Sequence, residues 1–218
     1  MVGHRGRRRG LLSVVSAPHS GVDLEPLGRS FFARDPLELA PDLLNKLLVH
    51  DGRVARIVEV EAYRGVDDPA SHAFRGPTPR TEVMFGPAGH LYVYFSYGMH
   101  WCANVVAGET GTAAAVLIRA AHPIVGIDAM RVARGAPRRD LDLTNGPAKL
   151  CKGMGIDGRL DGIDITGPAS LVRISDDGMV PPPVPTVGGR VGISVAADLP
   201  WRFSVPGEPY RSRPLPRP

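Results

Sequence analysis

The chain has 218 residues, 43% of them hydrophobic and 22% charged, with a net charge of +4, a length that suits one substantial hydrophobic core and is short for two. No apolar run approaches the roughly 20 residues needed to cross a bilayer, which argues against a membrane-embedded chain. The charge permits a polyanionic partner without demanding one, 22 prolines and 26 glycines point to a loop-rich mixed architecture, and two cysteines, Cys102 and Cys151, are too few for a Cys-based zinc site.

In chain order, residues 1–24 read as a basic, disordered arm with an Arg5–Arg9 cluster. The stretch Leu11–Ala17 imitates a signal peptide but is interrupted by Ser13 and Ser16. A single domain is expected over 25–218, with organised structure from about Ser30. Asp35-Pro36 and Glu38 offer a cap, a first-turn proline and an acidic first turn. Pro41 is then expected to restart a short helix through Leu47. Asp51-Gly52 signals a hairpin between Leu47–His50 and Arg53–Tyr63. A second hairpin joins Leu91–Phe95 to Met99–Val106 around Ser96–Gly98. Ala113–Arg119 reads as a buried strand, Ile127–Arg134 as a helix, and Val191–Val195 as a further strand. Gly146-Pro147 opens a helix over Ala148–Met154 that Gly155 closes. Hairpin-rich strands with peripheral helices predict an α+β domain, with Cys102 and Cys151 most simply read as reduced thiols and a disulfide left open.

Two segments carry chemistry. In Arg53–Tyr63, alternation puts Val58, Val60 and Ala62 on a core face, and Glu59, Glu61 and Tyr63 on the other. A charged, solvent-facing strand edge explains two carboxylates equally well. In a cleft, desolvation and a like-charged neighbour would raise one of them toward a general-base range, and alternation does not choose between them. In Leu91–Trp101, five of the chain's six Phe, two Trp and five Tyr share eleven positions with His100. Tyr92 and Tyr94 face away from Leu91, Val93 and Phe95. Tyr97 falls at the hairpin tip, badly placed for a core and well placed to push into a base stack. Arg119 ends an apolar strand and needs an anionic partner. His72 in a polar loop and Asn104 opposite Trp101 are weaker candidates. The helix entry at Gly146-Pro147, with Lys149 and Lys152, could hold a phosphate or be a plain cap. With three lysines in the chain, Schiff-base chemistry has few amines to use.

These residues resemble the alkyladenine (3-methyladenine) DNA glycosylase family that lacks a helix-hairpin-helix. The matching pieces include Ile57–Tyr63, Ser71-His72, Thr78–Arg80, Met84-Phe85, Leu91–Tyr94, Tyr97–Met99, Cys102–Asn104, Val116–Arg119, Gly146–Cys151 and Pro200–Phe203, in family order from about Leu27 to Ser212. The resemblance implies one compact domain with a mixed, antiparallel-rich sheet, peripheral helices and a protruding β-hairpin that inserts into the DNA minor groove. It implies Glu61 as the catalytic base, Arg119 beside the water it activates, and Tyr63, His72 and Tyr94 around the flipped base. It implies Asn104 as the residue excluding guanine's exocyclic amine and Tyr97 as the wedge; Met99, His100 and Lys149 are taken as further DNA-contact candidates. His100-Trp101 stand where relatives often carry Tyr-Phe, and Asn45 stands where a glycine is common.

A cationic alkylpurine is already an activated leaving group, so a carboxylate-held water and π-surfaces suffice. The resulting expectation is a monofunctional, monomeric enzyme acting on damaged double-stranded DNA inside the cell. It would leave an abasic site, use no metal or cofactor, and have no membrane partner. A non-catalytic DNA-structure binder whose tyrosines stack bases, and a hydrolase of free nucleosides, are the alternatives.

Overall fold

The computed structural model describes residues 24–212; the arm expected over residues 1–24 falls outside them except at Leu24. The chain is tied down earlier than Ser30, because Pro26 bridges to Ser175 and the Leu27 amide donates to the Ile174 carbonyl. A one-turn helix, α1 (Arg29–Phe32), buries Phe32. In α2 (Pro36–Leu43) the Asp35 carboxylate accepts from the Leu37 amide, and Pro36 occupies the first turn. Pro41 does not restart a helix. It lies inside α2, where it lacks the N–H that would reach back one turn, and the helix ends at Leu43 rather than Leu47. Asn45 then adopts φ 69°, a left-handed conformation that glycine favours and asparagine tolerates better than most residues.

The first hairpin forms as expected. Strands β1 (Leu47–His50) and β2 (Arg53–Tyr63) pair from Leu47↔Arg56 to His50↔Arg53, and Asp51 and Gly52 both take positive φ, as a two-residue turn of this twist requires. The second joins β3 (Leu91–Ser96) to β4 (His100–Ala107). The expected strand Ala113–Arg119 continues as β5 (Ala114–Val125). Two helices follow, α3 (Ile127–Arg134) and α4 (Pro147–Met154), closed by Gly135 and Gly155 in left-handed conformations. Three short strands complete the sheet: β6 (Val172–Ser175), β7 (Thr186–Gly188) and β8 (Arg202–Ser204).

The strand order is β3-β4-β5-β2-β1-β6, with β8 pairing β2 beyond the end of β1 and β7 outside β8. Every described pairing is antiparallel, so the sheet is not mixed. Strand β2 is therefore central, with β5 along one edge and β1 then β8 along the other. One face of the sheet packs on α2, α3 and α4 through Leu39, Leu43, Met130, Leu150 and Met154.

The β2–β5 ladder is interrupted three times, once near its end where Ile124 is skipped between Val54 and Ala55, and twice beside the glutamates. Ile57 faces Ala121 and Glu59 faces Ala120, so Val58 is an extra residue on β2. Val60 faces Ile118, so Arg119 is an extra residue on β5. Such bulges re-aim side chains, and here they change the alternation. The main core contains Ala55 and Ile57, then Val60 and Ala62, whereas Val58 is buried outside that cluster. The core face read from strict alternation was correct only beyond the bulge. Val191–Val195 is not a strand. Its backbone turns toward side chains of the sheet, the Val191 amide donating to Glu61 instead of to a neighbouring strand.

The loop after β2 depends on Gly65, at φ 66°, where a Cβ would lie 2.2 Å from the Thr112 carbonyl oxygen. Both the backbone conformation and the clash oppose any side chain, and the obstacle is main chain that cannot rotate away. Gly65→Ala is expected to cost about 2–3 kcal/mol, read as a lower urea midpoint at an unchanged slope.

Candidate active site

Cross-strand register assembles the site. Tyr92 faces Asn104, Asn104 faces Leu117, Leu117 faces Glu61, and Glu61 faces Arg202. Residues directly opposite in antiparallel strands share a face, so one row crosses β3, β4, β5, β2 and β8. Its first three members line a cavity of about 510 Å³ together with Tyr63, His72, Tyr94 and Arg119, and Glu61 lies behind that lining, in contact with Tyr63, Arg119 and Val191 of it.

Glu61 is completely buried. The Tyr63 hydroxyl donates to its Oε2 at 3.0 Å, Arg119 Nη1 lies 3.1 Å from the same oxygen, and the Val191 amide donates to Oε1 at 2.7 Å. Burial pushes its pKa above the ordinary 4.5, and the repulsion of Glu59 adds to this, while Arg119, the Val191 amide and the Tyr63 hydroxyl hold it down. The carboxylate has one oxygen with a single donor and so keeps acceptor capacity.

Glu59 is equally removed from water and differently satisfied. It accepts from Arg119 Nε and Arg202 Nη1, each at 3.2 Å, and from both the amide and the hydroxyl of Ser212. The solvent-facing strand edge is thereby excluded for both glutamates. Arg119, the residue extruded by the β5 bulge, spans the two. Burial disfavours its charge, but Glu61 and Glu59 outweigh that and its pKa is raised.

The walls are aromatic. Tyr92 and Tyr94 stack with ring centroids 5.5 Å apart, and His72 meets Tyr94 edge-on at 4.5 Å. His72 Nδ1 lies 3.2 Å from the Tyr92 hydroxyl. Burial, with the nearby charge of Arg80, pushes the His72 pKa down, so the imidazole is neutral at neutral pH. Burial pushes the Tyr63 and Tyr94 phenols up, which leaves both as O–H groups able to donate. Asn104 is buried and gives its side-chain N–H to the Tyr92 carbonyl at 3.2 Å.

The hairpin tip is the reverse of this environment. Tyr97 is 82% exposed and Met99 65% exposed, with Phe95 and His100 also open to solvent. Tyr97 and Gly98, both at positive φ, turn the chain at the cavity mouth. Trp101 is drawn back from the tip, against Phe95 and the backbone of Gly158. Lys149 does not join the site. Its amine is held by Asn145 Oδ1 at 2.8 Å and Asp142 Oδ1 at 3.2 Å, although Pro147 of the same helix reaches the cavity.

Four site residues carried no assigned role in the sequence. Arg80 lies over the Tyr94 ring, 5.5 Å from its centroid. The Val191 amide contacts Glu61, and a buried pair, Asp68 and Arg190, lies behind Tyr63. Thr78–Arg80 was legible as a motif, but a backbone amide donated from an irregular loop leaves no sequence signal. Cys102 and Cys151 are buried free thiols. Among the described residues, no group of three or more His, Cys, Asp or Glu is disposed to hold a metal ion, and no helix is long and apolar enough to cross a membrane.

A family model described as Methylpurine-DNA glycosylase (MPG) matches residues 30–209. A protein of Burkholderia lata is 55% identical over 192 residues, which is 88% of this chain and 93% of its own. One of Frankia casuarinae is 46% identical over 210 residues, covering 92% of this chain and 97% of its own. One of Carboxydothermus hydrogenoformans is 48% identical over 191 residues, covering 86% and 98%. All three bear the name "Putative 3-methyladenine DNA glycosylase".

Because the Glu61 pKa is raised in the folded state, its contribution favours folding at acidic pH and is lost as pH rises through that raised value. Glu61→Gln removes the buried charge and leaves Arg119 its Glu59 partner. The variant is expected to be more stable at neutral pH by about 1 kcal/mol, with the advantage vanishing below about pH 4.5. Thermal melts of both proteins across that range test it.

Proposed function

This chain belongs to the methylpurine-DNA glycosylase family, and on that premise we propose that it flips an alkylated purine of the 3-methyladenine type out of duplex DNA and hydrolyses its glycosidic bond with water activated by Glu61. The observation that carries the reading is a completely buried carboxylate with spare acceptor capacity beneath an aromatic cavity.

The chemistry follows from those surroundings. As the C1′–N bond breaks, its electron pair passes to the cationic purine and leaves positive charge on the sugar. The ionised Glu61 stabilises that charge, and the oxygen of a water held on the carboxylate bonds to C1′ while its proton passes to Glu61. Arg119 and Tyr63 fix one carboxylate oxygen and the Val191 amide the other, so the free lone pairs have a set direction. No lysine takes part, and the product is an abasic site on an intact strand.

Recognition rests on π-surface and fixed donors. Tyr63 and Tyr94 offer ring faces that favour an electron-poor base, and neutral His72 offers a nitrogen whose role its Tyr92 contact governs. Asn104 takes the discriminating position against guanine's exocyclic amine. Tyr97, with Met99 and His100 beside it, enters the minor groove and fills the vacated stack, offsetting an unstacking cost of about a few kcal/mol. Lys149, neutralised by Asp142, has no role in this reading.

Glu61→Gln is expected to slow base release at least about 100-fold in single-turnover reactions, while binding to lesion-bearing duplex persists. A panel containing 3-methyladenine, 7-methylguanine, hypoxanthine and ethenoadenine, scored as heat- or alkali-labile sites, defines the range; wild-type rates in the Gln variant would refute the role of Glu61.

For the native enzyme, the rate should fall as acid protonates Glu61, with the fall beginning above the usual carboxylate range because burial raises that pKa. Tyr97→Ala is expected to weaken duplex binding by about tenfold, since stacking on a base is worth about 1–3 kcal/mol, and to leave the melting temperature unchanged. Fluorescence anisotropy on a lesion duplex measures the first and a thermal melt the second.

A further inference from the structure

We propose that the buried Asp68–Arg190 pair is a positioning device for this site, holding the Val191 amide on Glu61 and backing the ring of Tyr63; the inference rests on the glycosylase reading above. Both side chains are completely buried. The Arg190 guanidinium meets Asp68 as a two-pronged fork, and Nη1 also donates to the Ala62 carbonyl at 3.1 Å. Ala62 is the residue between Glu61 and Tyr63. The same guanidinium lies between two rings, 4.7 Å from the centroid of Tyr63 and 4.9 Å from that of Trp201. Neither Arg190 nor Trp201 lines the cavity, whereas Tyr63 does, so the cation supports the tyrosine from behind.

Asp68 anchors the other side. It accepts from the amides of Arg64 at 3.4 Å and Ala70 at 3.0 Å, fixing the loop that runs from Tyr63 to His72. The residue after Arg190 is Val191, whose amide reaches Glu61 although residues 189–193 belong to no strand. One ion pair therefore ties together β2 at the catalytic residue, the loop bearing His72 and the loop bearing Val191. Stability is a weak reason for such a pair, because a buried ion pair is often no better than apolar residues of the same volume. Arg190 Nε moreover finds no acceptor among the described residues. What a planar fork supplies is fixed geometry toward several acceptors at once, which a lysine does not reproduce.

The consequence is readable in the acid limb of the rate. The groups acting on Glu61 are Glu59 and Tyr63 from its own strand, Arg119 from β5, the Val191 amide, and at longer range Tyr94 from β3 and Cys102 from β4. The Val191 donor favours the ionised carboxylate, so loosening it moves the acid limb to higher pH.

Arg190→Lys keeps the charge and removes the fork; Asp68→Asn keeps the shape and removes the anion. In single-turnover cleavage of a hypoxanthine or 3-methyladenine duplex, both are expected to lose about tenfold or more in rate and to shift the acid limb upward. Affinity for an abasic duplex, which the exposed hairpin supplies, should stay within about threefold. Lower melting temperatures with wild-type rate and limb per folded molecule would overturn the proposal. In the unmutated protein, the Val191 amide should exchange with solvent as slowly as those of β2, and exchange at an open-loop rate would also overturn it. Absent base release by the native chain, or wild-type rates in Glu61→Gln, would instead bring down the underlying reading.

Discussion

The structure turns on one cation placed between two carboxylates. Glu59 and Glu61 lie two residues apart on the central strand, and both are removed from water. Two such anions without a counter-charge would protonate or unfold the strand. Arg119 supplies the charge from the neighbouring strand, and regular pairing would not put it there. The β5 bulge does so, by making Arg119 an unpaired residue whose guanidinium reaches one glutamate with Nε and the other with Nη1. Much of the remaining architecture satisfies what Arg119 leaves over. Strand β8 brings Arg202 to Glu59, Ser212 caps the same carboxylate, and the loop after β7 brings the Val191 amide to Glu61.

Around this charged floor the sheet separates two tasks by face and by position. The helix-covered face is apolar and fixes the strands. The opposite face is a row of cross-strand partners whose order, Tyr92, Asn104, Leu117, Glu61, is the register of the hairpins. The β3–β4 hairpin has one end in that row and its tip in solvent, so one supersecondary unit carries both the cavity wall and the exposed Tyr97 and Met99. Tyr94 and Tyr97 differ by three positions and have opposite surroundings for that reason alone.

What could be read in the sequence was what local chemistry dictates. Asp51-Gly52, Asp35-Pro36 and the glycines closing α3 and α4 act over a few residues, and each structure formed as its turn or cap residues required. The Glu59/Glu61 face followed from alternation. The parity change at Val58 did not, because a bulge is a property of two strands together. Pro41 misled because a proline's ordinary role as a first-turn residue competes with the packing of Leu39, Ala40 and Leu43, which holds one helix through it. The three-residue strands β7 and β8, and the loop carrying Val191, are too short for periodicity; β8 and Val191 are fixed by β2 residues more than a hundred positions away, and β7 by β8.

The two glutamates also show how identical side chains on one strand come to differ. Glu59 receives four donors, those of Arg119, Arg202 and the Ser212 hydroxyl on Oε1 and the Ser212 amide on Oε2. Glu61 receives three, divided so that one oxygen has only the Val191 amide, and its neighbours Tyr63 and Arg119 are cavity walls. Its burial also raises its basicity, where the donors alone would have lowered it. Desolvation and Arg119 act on it in opposite directions, and burial is the larger effect. What distinguishes the two glutamates is where their partners sit: Tyr63, Arg119 and Val191 around Glu61 line the aromatic cavity, whereas Arg202 and Ser212 beside Glu59 line a separate pocket.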